Sequence, residues 1–303
     1  MEERRRVINS DLIFKTLSAL GCNVLKDEPL SKHCSFKIGG KADFFIAIPN
    51  EQALLTFFNS VLANNYFILG GGTNILFSDE GYKGVVVHLT GNFGKISILG
   101  DEISCGGGAL LSNVLKTALE NNLSGLECAA GIPGTIGGAV CGNAGNRDKW
   151  ISTVVKSIEV YKNQKKEIIN KNKVQFGYRA SSLENCVITK VNFSLKKHTR
   201  NDNDLQEVSE NIQKRLKTQP LNIPNAGSIF KNPNGFSAGK LIEKVGLKGK
   251  RIGGAQISEL HGNFIVNTDS ASAKDVLALI DLIKEKVEEK FNINLETEIK
   301  IIK

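Results

Sequence analysis

Two runs of glycine carry the first chemical signal in the 303-residue sequence. Gly70, Gly71 and Gly72 follow the apolar stretch 66–69 directly and lead into Thr73, Asn74 and Ile75. Consecutive glycines let main-chain N–H groups converge on an anion, and Thr73 and Asn74 add side-chain hydrogen bonds, which suits a phosphate or pyrophosphate. The run lacks the Gly-Lys-Ser/Thr of a nucleotide-binding P-loop, and the third glycine of a G-x-G-x-x-G pattern would fall at Ile75. The second run, Gly131, Ile132, Pro133, Gly134, Thr135, Ile136, Gly137, Gly138 and Ala139, ends in Asn143, Ala144 and Gly145. Bare main chain there could lie against a flat ring system, with Thr135 and Asn143 offering hydrogen bonds. A tight turn made only for packing competes as the reading of either run; together they favour a large dinucleotide cofactor.

Three further places combine polar groups with turns. Tyr178 and Arg179 sit in the stretch 176–181, where a guanidinium fork could clamp a carboxylate or phosphate, or simply face solvent. Ser228, Lys231 and Asn232 lie between Pro224 and Pro233, equally readable as an ordinary loop. Glu296 and Glu298 are spaced to share one face of a final strand, where a solvated edge is the default. The histidines at 33, 88, 198 and 261 show no ligand spacing.

Elements that would position these groups follow from period and punctuation. Apolar residues at 54, 55, 58, 61 and 62 predict a helix opening at Glu51 between strands 42–48 and 66–69, a βαβ candidate. Strands are expected over 85–89, 95–99, 103–104, 153–161, 187–195, 263–266 and 298–302. Helices are expected near 109–121, 205–217, 238–245 and 271–290. The glycine-rich stretch 125–145 reads as irregular backbone, because each interior glycine costs a helix or strand about 0.5–1 kcal/mol relative to alanine.

Composition narrows the class. With 39 Lys+Arg against 31 Asp+Glu, 41% hydrophobic residues and 23% charged, the chain is an ordinary globular protein. Its 30 glycines exceed the average share without a collagen period. Six cysteines show neither C-x-x-C pairs nor finger-like histidine partners, so reduced thiols are expected rather than zinc or disulfides. No run of about 18 apolar residues exists to span a membrane. Arg4, Arg5 and Arg6 ahead of an apolar stretch ending at Cys22 faintly resemble a lipoprotein signal, but Asp11 and Lys15 interrupt it. An amphipathic first helix capped by Ser10 or Asp11 is the better reading. The basic clusters 165–166, 196–200 and 248–251 lack aromatic interleaving and read as solvated faces, not as nucleic-acid sites.

Taken in order, several segments resemble the signature blocks of the UDP-N-acetylenolpyruvoylglucosamine reductase family. They are residues 33–40, 69–76, 131–139 with 143–145, Tyr178-Arg179, 226–233, 261–267 and Glu298. The resemblance implies an α+β chain: an FAD-binding fold of the vanillyl-alcohol-oxidase type in two subdomains, plus a C-terminal α+β substrate domain. The expected boundaries are 1–65, joined by a returning strand at 291–303, then 66–200, then 201–290. The direct passage from residues 178–181 into a strand matches the shorter form of the family, without an inserted lid.

By the same resemblance the protein is a flavin-dependent oxidoreductase of peptidoglycan precursor synthesis that reduces the enolpyruvyl ether of a UDP-sugar with NADPH. FAD would be non-covalent, since residues 70–74 hold neither the His nor the Cys that tethers flavin in oxidase relatives. Its expected contacts are Gly70, Gly71, Gly72, Thr73, Asn74, Ile75, Gly131, Ile132, Pro133, Thr135, Gly137, Gly138, Asn143 and Gly145. Arg179, Ser228 and Glu298 would be catalytic: Arg179 holds the carboxylate, Ser228 protonates C2, and Glu298 hydrogen-bonds the developing enolate. Tyr178, Lys231 and Asn232 would bind substrate. No metal, nucleic-acid, membrane or obligate protein partner is expected; the implied protein is a cytoplasmic monomer. Cys34 and residues 146–149 depart from the family's usual types. Two rivals remain: another FAD oxidoreductase of the same fold, such as a carbohydrate oxidase, and a non-enzymatic nucleotide-sugar-binding protein.

Overall fold

The computed structural model describes residues 12–146, 149–198 and 202–303. The expected cap at Ser10 or Asp11, the run Arg4 to Arg6, and Arg147, Asp148 and Arg200 lie outside the described residues. The described residues form two compact units, the first within 12–28, 43–70 and 83–212, the second from 29–42, 71–82 and 213–303.

Unit one is built on two sheets. The first orders its strands Asn23–Pro29, Lys41–Ile48, Tyr82–Leu89 and Tyr66–Leu69. Tyr66–Leu69 runs parallel to Tyr82–Leu89, so the latter separates the two strands of the expected βαβ unit. Helix Glu51–Phe58 is capped by Asn50, whose side chain accepts from Ala53 N–H. It ends earlier than its apolar period suggested, and Val61–Asn64 turns as a short 3₁₀ segment. Its buried Ala53, Leu54, Phe57 and Phe58 pack into a core with Ile46, Ile48, Val85 and Val87.

The second sheet is antiparallel, in the order Lys165–Asn170, Val155–Lys162, Val187–Ser194, Glu102–Gly106 and Ile96–Leu99. Helix Leu111–Glu120 buries Leu111, Val114, Leu115 and Ala118, one face at spacings of three and four, into that sheet's core. The strand 165–170 is an almost wholly exposed edge, so its lysines serve where an unpaired strand rim would otherwise invite another chain.

One element corrects the sequence reading. Within 125–145, Ile136–Cys141 is helical despite Gly137 and Gly138, with Thr135 as its N-cap. Tertiary packing overrides propensity there: Ile136 N–H donates to the Ala109 carbonyl at 2.8 Å and Gly137 N–H to that of Gly107 at 2.8 Å. A Cβ on Gly137 would come within 3.0 Å of that same Gly107 oxygen.

Unit two carries the sheet Asn225–Ser228, Phe264–Asn267, Ala255–Ile257 and Arg251–Ile252. The helix Ala273–Phe291 lays Val276, Leu279, Ile280, Ile283 and Val287 into its core. Its start is closed twice, by the reciprocal capping box of Ser272 and Asp275 and by the Asp79 carboxylate. Asp79 accepts from Ala273 N–H at 2.7 Å and Lys274 N–H at 3.1 Å. The last strand, Lys300–Ile302, pairs in parallel with Ile75–Phe77, immediately after the first glycine run.

Candidate functional site

In unit two Gly72 and Asn74 are laced to the segments bearing Ser228 and Glu298. Ser35 N–H donates to the Gly72 carbonyl at 3.0 Å, and the Ser35 hydroxyl donates to the Asn225 carbonyl at 2.6 Å. Asn225 turns the chain into Ser228: its side-chain oxygen accepts from Gly227 N–H at 2.9 Å while its amide donates to the carbonyls of Pro220 and Ile223. The Asn74 amide donates to the Glu298 carbonyl at 3.3 Å, and the Asn74 carbonyl accepts from Lys300 N–H at 3.1 Å. Gly72 takes φ +63°, and a Cβ there would sit 2.2 Å from the His33 oxygen. Only glycine fits that turn.

Residues 229–231 run antiparallel to 296–298. Glu298 N–H donates to the Ile229 carbonyl at 2.8 Å, Lys231 N–H donates to the Glu296 carbonyl at 2.9 Å, and Phe230 bridges Thr297. The two glutamates thereby part company. Glu296 is exposed and paired with the Lys231 ammonium at 2.5 Å, whereas Glu298 is half-buried beside the Ser228 segment. Asn232 turns its side-chain oxygen to Ala238 N–H at 3.0 Å, helping to start the helix Ala238–Lys244.

Sequence reasoning missed the residue that fixes this strand pair. The buried Asn263 accepts from Phe230 N–H at 2.9 Å and donates to the Phe230 carbonyl at 2.8 Å, while its own carbonyl takes Ile229 N–H at 2.9 Å. Asn263 N–H in turn donates to His261 Nδ1 at 3.2 Å, which needs a neutral imidazole. Burial holds the His261 pKa below its ordinary value, in keeping with that role.

In unit one Gly70, the first residue of the first run, and the glycines of the second run fall into two kinds. Cβ atoms on Gly70, Gly137 and Gly145 would approach Thr135 Oγ1 at 2.7 Å, the Gly107 oxygen at 3.0 Å and the Lys149 oxygen at 2.3 Å, so the protein's own packing demands glycine. Gly138 differs. It is exposed, and a Cβ there would meet only Thr135 Oγ1 at 3.6 Å. With exposed Gly131 and Pro133, it offers bare, open main chain against which a flat ring could rest, and in this respect the residues fit FAD. Thr135 and Asn143 are buried and bonded internally: Thr135 accepts from Gly138 N–H at 3.4 Å, and Asn143 donates to the Gly177 carbonyl at 2.9 Å.

Tyr178 and Arg179 form the tip of a two-residue hairpin between Phe176–Gly177 and Ala180–Ser181. Arg179 is held at φ +56°, a conformation costly for any residue with a Cβ. Its Nη1 donates to the Gly145 carbonyl at 3.0 Å. Trp150, which sequence reasoning also missed, places its ring 5.4 Å from the guanidinium carbon, and Tyr178 lies at 5.7 Å. The two rings meet edge to face at 5.7 Å.

Other chemistry finds little footing. Among the described residues no group of three His, Cys, Asp or Glu could hold a metal ion, and no helix is long and apolar enough to cross a membrane. All six cysteines lie among the described residues and none is joined in a disulfide.

Known proteins align with both units. Residues 219–302 match the family model described as UDP-N-acetylenolpyruvoylglucosamine reductase, C-terminal domain, and residues 46–168 match that of an FAD binding domain. The UDP-N-acetylenolpyruvoylglucosamine reductase of Clostridium botulinum (strain Okra / Type B1) is 42% identical over 287 residues, 92% of each chain. That of Thermotoga sp. (strain RQ2) is 41% identical over 295 residues, 96% of this chain and 97% of its own. The crystal structure of the Thermus caldophilus enzyme superimposes with a TM-score of 0.81 at 34% identity, covering 93% of this chain and 99% of that one. On this similarity across nearly the whole length, the chain belongs to the UDP-N-acetylenolpyruvoylglucosamine reductase family.

Proposed function

We propose that the protein reduces the enolpyruvyl ether of UDP-N-acetylglucosamine-enolpyruvate to UDP-N-acetylmuramate, with NADPH and non-covalent FAD, in peptidoglycan precursor synthesis. The observation that carries this reading is the identity of 41–42% with such reductases over 92% or more of both chains. Bound FAD would supply the hydride carrier between NADPH and the terminal carbon of the enolpyruvyl group. The chain's own residues would then hold the charge that builds at C2 and in the carboxylate, and deliver a proton.

Arg179 suits the carboxylate, because its fork gives two parallel charge-assisted hydrogen bonds. Ser228 is the proton donor to C2; a hydroxyl is a weak acid, suited to a strongly basic enol carbon. Glu298 is assigned to the developing enolate ahead of Glu296, whose carboxylate is exposed and engaged with Lys231. Tyr178, Lys231 and Asn232 orient the substrate. Residues 70–75, with Gly131, Ile132, Pro133, Thr135, Gly137, Gly138, Asn143 and Gly145, contact FAD. In the proposed division of labour, 1–65 with 291–303 and 66–200 bind FAD and 201–290 binds substrate, in a cytoplasmic monomer.

Half-reactions test this. The purified protein should be yellow, lose flavin absorbance with NADPH, and regain it with the enolpyruvyl sugar nucleotide. Ser228→Ala should leave the first step within about twofold and slow the second by about 10²-fold or more. A colourless protein after incubation with FAD overturns the reading, and equal loss in both steps removes Ser228 as the proton donor.

A further inference from the structure

We propose that Trp150 is a positioning residue for Arg179, clamping the guanidinium in the orientation that receives the substrate carboxylate. The inference rests on the carboxylate-binding reading of Arg179. A guanidinium left to its own rotamers would lose much of its fork geometry, since an arginine side chain carries about 2 kcal/mol of rotamer entropy. Here it is fixed from three directions. Gly145 holds Nη1 through its carbonyl at 3.0 Å, Trp150 presents its ring at 5.4 Å, and Tyr178 presents its ring at 5.7 Å. A cation within about 6 Å of an aromatic centroid is attracted by the ring's quadrupole, most strongly for Trp.

One turn delivers two of these contacts. Gly145 and Trp150 face each other in an antiparallel bridge, and Ile151 N–H ties the turn back to the Ala144 carbonyl at 2.8 Å. A Cβ on Gly145 would lie 2.8 Å from the Trp150 Cα, so glycine is what allows the two strands of the turn to approach. The Trp150 carbonyl accepts from the Thr153 hydroxyl at 2.7 Å, anchoring the ring's own backbone. A half-turn of chain near the second glycine run thus builds a seat for an arginine 34 residues further on.

The test uses the FAD-loaded full chain and two readouts. In stopped flow, Trp150→Ala should slow flavin reoxidation by the enolpyruvyl substrate, or raise its KM, by about tenfold. Flavin reduction by NADPH should stay within about twofold, and Trp150→Phe should restore reoxidation to within about threefold. The effect should vanish in an Arg179→Ala background. Trp150 is the only tryptophan, so Arg179→Ala should also change the protein's intrinsic emission. Equal effects of Trp150→Ala on both half-reactions, or undiminished effects in the Arg179→Ala background, would overturn the clamp. Superimposable emission spectra of wild type and Arg179→Ala would do so as well. Normal reoxidation by Arg179→Ala would instead overturn the carboxylate role of Arg179, and the emission spectra would still decide whether the clamp exists.

Discussion

Asn263 closes both main-chain hydrogen bonds of Phe230 with one side-chain amide, standing where a neighbouring strand would stand. Asn263→Ala would leave a buried N–H and a buried carbonyl unpaired beside Ser228, at a cost of about 3 kcal/mol. Chemical denaturation should show that loss. Turnover should fall even at temperatures where the variant is fully folded, because the strand pair 229–231 and 296–298 loses its outer brace. Wild-type turnover in a folded variant would show that the brace has no bearing on Ser228.

Gly70 and Gly138, one from each glycine run, should divide in the laboratory as they do in space. Gly70→Ala forces a Cβ to within 2.7 Å of Thr135 Oγ1 and should lower the unfolding temperature of the flavin-free protein. Gly138→Ala makes only an ordinary contact with Thr135 Oγ1 at 3.6 Å and adds a better helix former, so that protein should be as stable as wild type or gain up to about 1 kcal/mol. Its affinity for FAD, measured by flavin fluorescence, should nevertheless fall. If Gly138→Ala binds FAD as wild type does, the open surface there is not a flavin contact.

Arg179 pays for its place in backbone strain. At φ +56° alanine is strained and glycine is not, so Arg179→Gly should be more stable than Arg179→Ala by about 1 kcal/mol. Both should be equally poor at flavin reoxidation by substrate. Thermal unfolding of the pair measures the strain separately from the lost guanidinium.

Acid should weaken the join between helix Glu51–Phe58 and the second sheet. The Lys166 ammonium and then the Tyr161 hydroxyl hold the Glu51 carboxyl below its ordinary value of 4.5. A depressed carboxylate contributes stability that is present above that value and is lost as pH falls through the folded pKa. Wild type should therefore exceed Glu51→Gln in stability at neutral pH, with the gap closing below about pH 4.5. The pair is exposed, so the gap should be modest and should narrow in high salt. A gap independent of pH would assign the effect to packing.

What the sequence disclosed was local in character. Helices such as Leu111–Glu120 showed themselves through spacing, and the strand ending at Leu69 through the glycines that stop it. The helix Ile136–Cys141 was hidden because its composition argues against it and contacts with Ala109 and Gly107 make it. The edge strand 165–170 was hidden because an exposed edge has no apolar alternation to detect. Candidate site residues stood out where turn chemistry and family motif coincided. Asn263 lay inside the family block 261–267 but with no role assigned, and Trp150 lay in no block, since they act on partners 33 and 29 positions away and no local pattern encodes that distance.

The pairing of Ile75–Phe77 with Lys300–Ile302 orders events during synthesis. The first glycine run emerges early, yet the strand that follows it finds its partner, and Asn74 its Glu298 carbonyl, only 224 residues later. Contacts so far apart in the chain form slowly, because the loop between them must close first. A ribosome-bound chain in which residues 300–302 have yet to emerge would therefore carry an unfinished strand edge, and loss of that pairing should disturb the loop 70–75 proposed to meet FAD, although none of the three is assigned a contact with the cofactor.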